Sequence, residues 1–384
     1  MTVKEASSAL IPRIAFRVDA SLEIGTGHVM RCLTLATALR ERQRAACHFL
    51  CREHHGHLID MIESRGFTVY RLKMSDMTQE STSGPDQEPP FHAHWLGTNW
   101  QTDAQESAIY LEKLNPDWLV VDHYALEAQW ERVACPARSR LLVIDDLADR
   151  CHSADILLDQ NVLDHQSEDL YRKLVNPECR LLLGPRYALL KKEYAVLAEA
   201  LPERDGQISR VLVFVGGSDP FHLTERYLEA LAAPEFEHLF IDVVLGKNHP
   251  KPSVVERFVK DRHGARLYSG LTSLAALMVR ADLMLGAGGT TNWERMCLGL
   301  TSIVVSVAHN QDEINQKLSS QKLISFLGGV NSVSVKCIRT AIRCSLDDAY
   351  TNSKNSKRAR NIVSGKGADF VIQYLARGEI YAFT

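Results

Sequence analysis

From Arg13 onward the chain alternates short apolar runs with longer stretches in which apolar residues recur every three or four positions. The runs "RIAFRV", "AACHFLC", "FTVYRL", "DWLVVDHY", "RLLVIDD" and "DILLDQN" have the length and nearly unbroken apolar character of strands buried on both faces. Between them, Val29 to Arg42, "HLIDMIESRG" and residues 104–114 follow the helical period. Such alternation predicts an α/β architecture with a parallel, doubly wound sheet. From Met74 to Glu106 the pattern lapses into a stretch rich in Ser, Pro and Gly, which predicts a long loop.

A second series begins at "ISRVLVFVGGSDP" and continues through "LFIDVVLG", "ARLYSG", "ADLMLGAGGTTNWE" and "TSIVVSV". The intervening "CRLLLGPRYALLKKEYAVLAEALPERDG" reads as the connection between two halves. Two Rossmann-like domains are therefore expected, 1–204 and 205–384, which suits 384 residues when single domains centre near ~100–200. Two such sheets facing each other would gather the carboxyl ends of their strands, with their loops, around an interdomain cleft.

Composition narrows the classes without choosing among them. With 45% apolar and 24% charged residues and a net charge of 44 − 47 = −3, the chain is that of an ordinary soluble protein, and its charge gives no reason to expect nucleic acid. The opening "MTVKEASSALIPRIAFRV" lacks a signal peptide's apolar region, and no run approaches the ~20 apolar residues of a membrane span. Nine cysteines, an odd number spread from Cys32 to Cys344, suit reduced thiols and a cytoplasmic protein.

The candidate chemistry lies in the loops that follow strands. In "DASLEIGTG", Gly25 and Gly27 permit tight backbone geometry, and the amides at the start of the next helix can receive an anion. His28 stands on that helix's first turn, where the positive end of the helix dipole opposes protonation and favours a neutral, proton-accepting imidazole. Arg31, three residues on, shares its face. Gly216, Gly217 and Ser218 end one buried strand, while Gly286, Gly288 and Gly289 end another, and both loops can present amides to a diphosphate. Glu294 falls in the first turn of the following helix, where a carboxylate either accepts from a ribose diol or is held by the helix dipole. Asn310 and Gln311 of "SVAHNQDE" offer amides to a polar sugar.

Other stretches read as structural. "CHFLCREHHGH" lacks the C-x2-C spacing of a metal clamp and already reads as a strand. "NSKNSKRAR" reads as a solvated surface. In "VIDDLADR", Asp145 and Asp146 point to opposite faces of a strand and do not form an acid–base pair, although either can contact a ligand or cap a turn. No sequence-adjacent metal cluster, Walker lysine motif or G-x-S-x-G elbow is present.

The stretches "FRVDASLEIGTGHVMRCLTLA", "HAHWLGTNWQTDA", "VVDHY", "VIDDLADR", "LLDQN", "LLLGPRYALLKKEY", "VFVGGSDP", "GAGGTTNWERMCLG" and "AHNQ" occur in one order over roughly residues 14–312. In that order they resemble the UDP-sugar hydrolases of pseudaminic acid biosynthesis, the PseG family, which have the GT-B fold. The resemblance implies metal-independent cleavage by water of UDP-2,4-diacetamido-2,4,6-trideoxy-β-L-altropyranose to UDP and the free sugar, with no cofactor. It implies His28 as general base, Tyr124 beside the sugar, Asn310 completing the active site, and Asp19 orienting His28. Gly217, Gly289, Thr290 and Glu294 would hold UDP. The chain departs from the family in having His309 where Glu often precedes the Asn-Gln pair. Some relatives carry a fused acyltransferase, for which the residues after Asn310 are too few; they are expected to finish the second domain, with a last helix near "GADFVIQYLA" packing back on the first. Two other readings stay open: a GT-B glycosyltransferase using a UDP-sugar donor, and a non-catalytic nucleotide-sugar-binding protein.

Overall fold

The structure, a computed structural model, describes residues 11–74, 90–161, 165–246 and 248–376. Part of the expected 74–106 loop, residues 75–89, lies outside the described residues, as do residues 1–10 of the opening segment. The chain divides into two units, one running Ala188–Gly367 and the other comprising the preceding residues and the last helix.

The first unit is built on a seven-stranded sheet of β1 (Arg13–Val18), β2 (Ala46–Arg52), β3 (Thr68–Leu72), β4 (Trp118–Asp122), β5 (Arg140–Ile144), β6 (Ile156–Asp159) and β7 (Arg180–Leu183). Its order is β3-β2-β1-β4-β5-β6-β7, and every pairing is parallel. The strand order reverses between β1 and β4, whose register pairs Val18 with Asp122. Ligands of open α/β sheets bind outside the carboxyl ends of the strands at such a reversal. The helix Gly27–Gln43 follows β1, and the loop after β4 begins at His123, so both of these segments open at that point.

The second unit carries β8 (Arg210–Phe214), β9 (Phe240–Leu245), β10 (Ala265–Ser269), β11 (Leu283–Ala287), β12 (Thr301–Ser306) and β13 (Ser325–Gly329) in the order β10-β9-β8-β11-β12-β13, again all parallel. Here the reversal falls between β8 and β11, the two strands followed by the glycine loops.

The buried runs "VLV" of β8 and "LMLGA" of β11 explain why these strands are central, since neither face meets water. β7 forms in a segment whose pattern predicts connecting chain, and β13 is a strand that the sequence pattern does not predict. Both are partly exposed edge strands: the apolar run of β7 is only Leu181–Leu183, and that of β13 is cut short by Gly328 and Gly329. The helix read over residues 104–114 starts at Trp100, because the Asn99 side chain accepts from the Thr102 amide at 2.8 Å and caps it.

The division between units falls after Tyr187, earlier than composition suggests. The helix Lys192–Ala200 packs within the second unit: Tyr194 is fully buried, and its carbonyl accepts from the Cys297 thiol at 3.7 Å. The last helix, Gly367–Ala376, packs back on the first unit as expected. There Arg42 pairs with Asp369 at 2.6 Å, and the Trp118 indole donates to the Leu375 carbonyl at 3.1 Å. No helix among the described residues is long and apolar enough to cross a membrane.

Candidate active site

The loop after β1 is shaped by Ser21, whose hydroxyl accepts from the amides of Glu23 at 3.1 Å and Ile24 at 2.9 Å while its carbonyl accepts from Gly25 at 3.0 Å. Gly25 closes this turn at φ +80°, a conformation that disfavours other residues. The chain then enters the helix at Gly27, with Thr26 as an N-cap that makes no side-chain capping bond. His28 is thereby turned toward the end of β4.

There Nδ1 of His28 lies 2.6 Å from Oδ1 of Asp122. A carboxylate only accepts, so Nδ1 carries the proton and the basic lone pair belongs to Nε2. Arg31 grips the same carboxylate through Nε at 2.6 Å and a terminal nitrogen at 2.7 Å, then reaches Asp146 at 2.9 Å. Asp146 also accepts from the Tyr124 hydroxyl, and from the Asn161 amide at 2.9 Å. The Tyr124 ring meets His28 edge-on, with centroids 4.5 Å apart, and Trp95 stacks on it at 5.7 Å.

Burial alone would raise the Asp122 carboxyl, yet the Arg31 guanidinium and the His28 ring hold it well below the usual carboxylate range. Asp122 is therefore an anion that fixes one imidazole tautomer. Burial, and then the neighbouring Asp146, push the Tyr124 phenol well above its ordinary value, so it stays protonated and donates. Burial opposes the charge on Arg31, but Asp122 and Asp146 more than offset it. An imidazole oriented by a carboxylate, with its second nitrogen basic, is suited to taking a proton from water or a hydroxyl.

Asp19 does not orient His28, contrary to the sequence expectation. Its carboxylate pairs with Arg17 at 2.8 Å, accepts from the Arg52 amide at 2.6 Å, and lies 3.2 Å from His123 Nε2. It belongs to a buried network with Arg17, Asp103 and Arg52. Asp19 lies just beyond the strand end, whereas Asp122 is in register beside β1 and reaches the helix that bears His28. Asp122 was legible only as part of "VVDHY"; an acid ending a buried strand beside β1 was the available signal. β5 ends at Ile144, so strand alternation does not set the directions of Asp145 and Asp146; their immediate partners differ, but the two are linked through Tyr171, Asp159 and Asn161. Asp145 pairs with Arg150 at 2.7 Å and accepts from the Ala148 amide at 2.9 Å.

In the second unit, Gly216 adopts φ +142° at the end of β8, and Gly217 and Ser218 are exposed. Beyond β11, a Cβ on Gly288 would fall 2.2 Å from Nδ2 of Asn315. That buried asparagine donates to Ser306 and accepts from Asn292, both at 3.0 Å, so it holds the floor of the loop. Gly289, at φ +111°, places the Cβ position 3.8 Å from Nε2 of Gln311, whose Oε1 accepts from the Val307 amide at 3.1 Å. Thr290 is exposed at the N-cap of the helix Thr291–Cys297, and Asn310 and His309 are exposed on the loop after β12. Because β8 pairs with β11 and β11 with β12, these loops are neighbours at one end of one sheet.

Glu294 is partly buried in the first turn of that helix, beside Tyr194 and Lys191. Burial raises its carboxyl to about 7, although the Tyr194 hydroxyl and Lys191 work against it.

No protein-family model matches the chain. It is 27% identical over 301 residues to an uncharacterised protein of Methanocaldococcus jannaschii, covering 76% of this chain but only 55% of that protein's length. It is 24% identical over 302 residues to the UDP-2,4-diacetamido-2,4,6-trideoxy-β-L-altropyranose hydrolase of Campylobacter jejuni, covering 78% of this chain and 93% of that enzyme. Among solved structures, MurG of Acinetobacter baumannii superposes with a TM-score of 0.63 at 12% identity, over 95% of this chain and 99% of MurG. That likeness establishes the fold: the two parallel-sheet units are those of a GT-B-like protein.

Proposed function

We propose that this protein hydrolyses a UDP-acetamido sugar at the anomeric carbon. The observation that carries this reading is the His28–Asp122 pair at the strand-order reversal of the first unit, which supplies a general base where such sheets bind ligands. Nε2 takes a proton from water as the water oxygen bonds to the anomeric carbon. The bond from that carbon to the β-phosphate oxygen breaks, and UDP leaves with the electron pair. Tyr124 and Asn310 contact the sugar, while amides of the Gly217 and Gly289 loops, Ser218, Thr290 and Gln311 receive the diphosphate. Glu294 accepts from the ribose. Asp122, rather than Asp19, orients the imidazole.

The substrate we favour is UDP-2,4-diacetamido-2,4,6-trideoxy-β-L-altropyranose, because the Campylobacter jejuni enzyme of that activity is similar over nearly its whole length. The nine cysteines are all unpaired, which fits a cytoplasmic enzyme of pseudaminic acid biosynthesis. Incubation with candidate UDP-acetamido sugars, with products identified by mass and NMR, tests the reading. UDP and free sugar are expected; no turnover of any of them without an added acceptor contradicts it.

A fold shared with CalG4, the calicheamicin glycosyltransferase, favours one second reading, a glycosyltransferase in which an acceptor hydroxyl replaces water. An acceptor-dependent release of UDP would select it. Binding of UDP by calorimetry with no release under either condition would select a non-catalytic binding protein.

A further inference from the structure

The loop after β8 carries a second cluster that the proposed reaction does not use. Asp219 caps the helix Leu223–Leu231, accepting from the Leu223 amide at 2.9 Å and the Thr224 amide at 2.7 Å. His222, held in the left-handed region at φ 54°, has Nδ1 2.9 Å from Oε1 of Glu225 and so fixes that carboxylate. His249 comes from the loop after β9, its side chain only 3% exposed. Its Nε2 lies 3.7 Å from Asp219 Oδ2 and 3.7 Å from Glu225 Oε2, and the three atoms lie within 4.8 Å of one another.

These separations are too long for hydrogen bonds. His249 Nε2 and Glu225 Oε2 are buried without a hydrogen-bond partner among the described residues, which native structures seldom tolerate. Two ligand atoms on a tetrahedral cation with bonds of ~2.0–2.2 Å stand about 3.3–3.6 Å apart, close to the spacing here.

We propose that Asp219, Glu225 and His249 bind one divalent cation of the zinc or manganese class. Two carboxylates balance its charge, and one imidazole favours a borderline metal over calcium or magnesium. His222 and the Thr224 amide hold the two carboxylates in place, as outer partners do in metal sites. The Lys251 amide donates to His249 Nδ1 at 3.2 Å, which leaves the proton of the free ring on Nε2. Cation binding takes the other tautomer and gives up that long surface contact, whose amide water can satisfy.

The cation ties the loops after β8 and β9 together. Those loops already touch: the Asn248 amide donates to the Gly217 carbonyl at 3.1 Å, and a Cβ on Gly246 would fall 2.2 Å from the Gly216 carbonyl oxygen. Its role is structural and independent of His28.

The test uses the full chain dialysed against a chelator, then equilibrium dialysis with zinc or manganese and thermal unfolding in parallel. Wild type should retain one cation per chain with a rise in Tm. His249→Ala and Glu225→Gln should each bind at least about 10-fold more weakly and lose the rise. Absence of stoichiometric binding to wild type, or undiminished binding in both variants, overturns the proposal. If neither variant folds, anomalous scattering from metal-soaked wild-type crystals decides: a peak between the three side chains upholds the site, and no peak there refutes it.

Discussion

Oδ1 of Asp122, the last residue of β4, lies 2.6 Å from Nδ1 of His28, 94 positions earlier in the chain. The parallel pairing of β1 with β4 brings them together, and Arg31 holds the carboxylate from its other side. Replacing Asp122 with Asn keeps the shape but lets Nδ1 act as an acceptor, which puts the ring proton on Nε2 and removes the base. Asp122→Asn should therefore lower turnover by roughly 100-fold or more with little change in UDP affinity. Steady-state rates beside calorimetry with UDP would show it, and a variant of near-normal rate would detach Asp122 from the chemistry.

The same carboxylate predicts an acid dependence of stability. Its folded value lies well below the ~3.9 of an unfolded aspartate, so its contribution is present above pH about 4 and is lost as pH falls from there. Urea midpoints from pH 6 to pH 3 should drop more steeply for wild type than for Asp122→Asn. Parallel curves would contradict the assignment.

His28→Ala should reduce turnover by about 100-fold or more, the range of general acid–base groups, and leave UDP binding intact. A folded variant turning over near normally would remove this histidine from the mechanism.

Glu294, raised to about 7, should make UDP binding pH-dependent. Only the ionised carboxylate accepts from both ribose hydroxyls, so affinity should rise as pH increases through 7 and be flat in Glu294→Gln. Glu294→Ala should cost roughly 1.5–3 kcal/mol of UDP binding. The stability slope has the opposite sign: a group raised from about 4.5 favours the folded state at low pH, and that support is lost as pH climbs through 7. Calorimetry and urea titrations at pH 6 and 8 would separate the two effects.

Gly288→Ala should lower stability by about 1–3 kcal/mol, since its Cβ collides with Nδ2 of a buried Asn315 already bonded on both sides. Thermal unfolding with an unchanged Tm would mean that the loop moves aside at no cost.

Central strands were legible because burial on both faces writes long unbroken apolar runs, whereas the edge strands β7 and β13 offer runs of only three and two apolar residues. His28 and Arg31 were candidates because they open the helix that follows β1, and the glycine loops because they follow β8 and β11 directly. Asp122 was harder: its partner lies 94 residues away, and only the adjacency of β1 and β4 makes Asp122 a better orienter than Asp19. Asp219, Glu225 and His249 converge from two loops and one helix, and no spacing in the sequence announces them.

The central claim is water attack on the sugar carbon, and reaction in oxygen-18 water with mass analysis of the released UDP tests it most directly. The account predicts UDP free of label, with label entering the anomeric hydroxyl; because free sugars exchange that oxygen with solvent, UDP is the decisive fraction. Label in UDP, or formation of UMP and a sugar phosphate, would place the attack on phosphorus and contradict it.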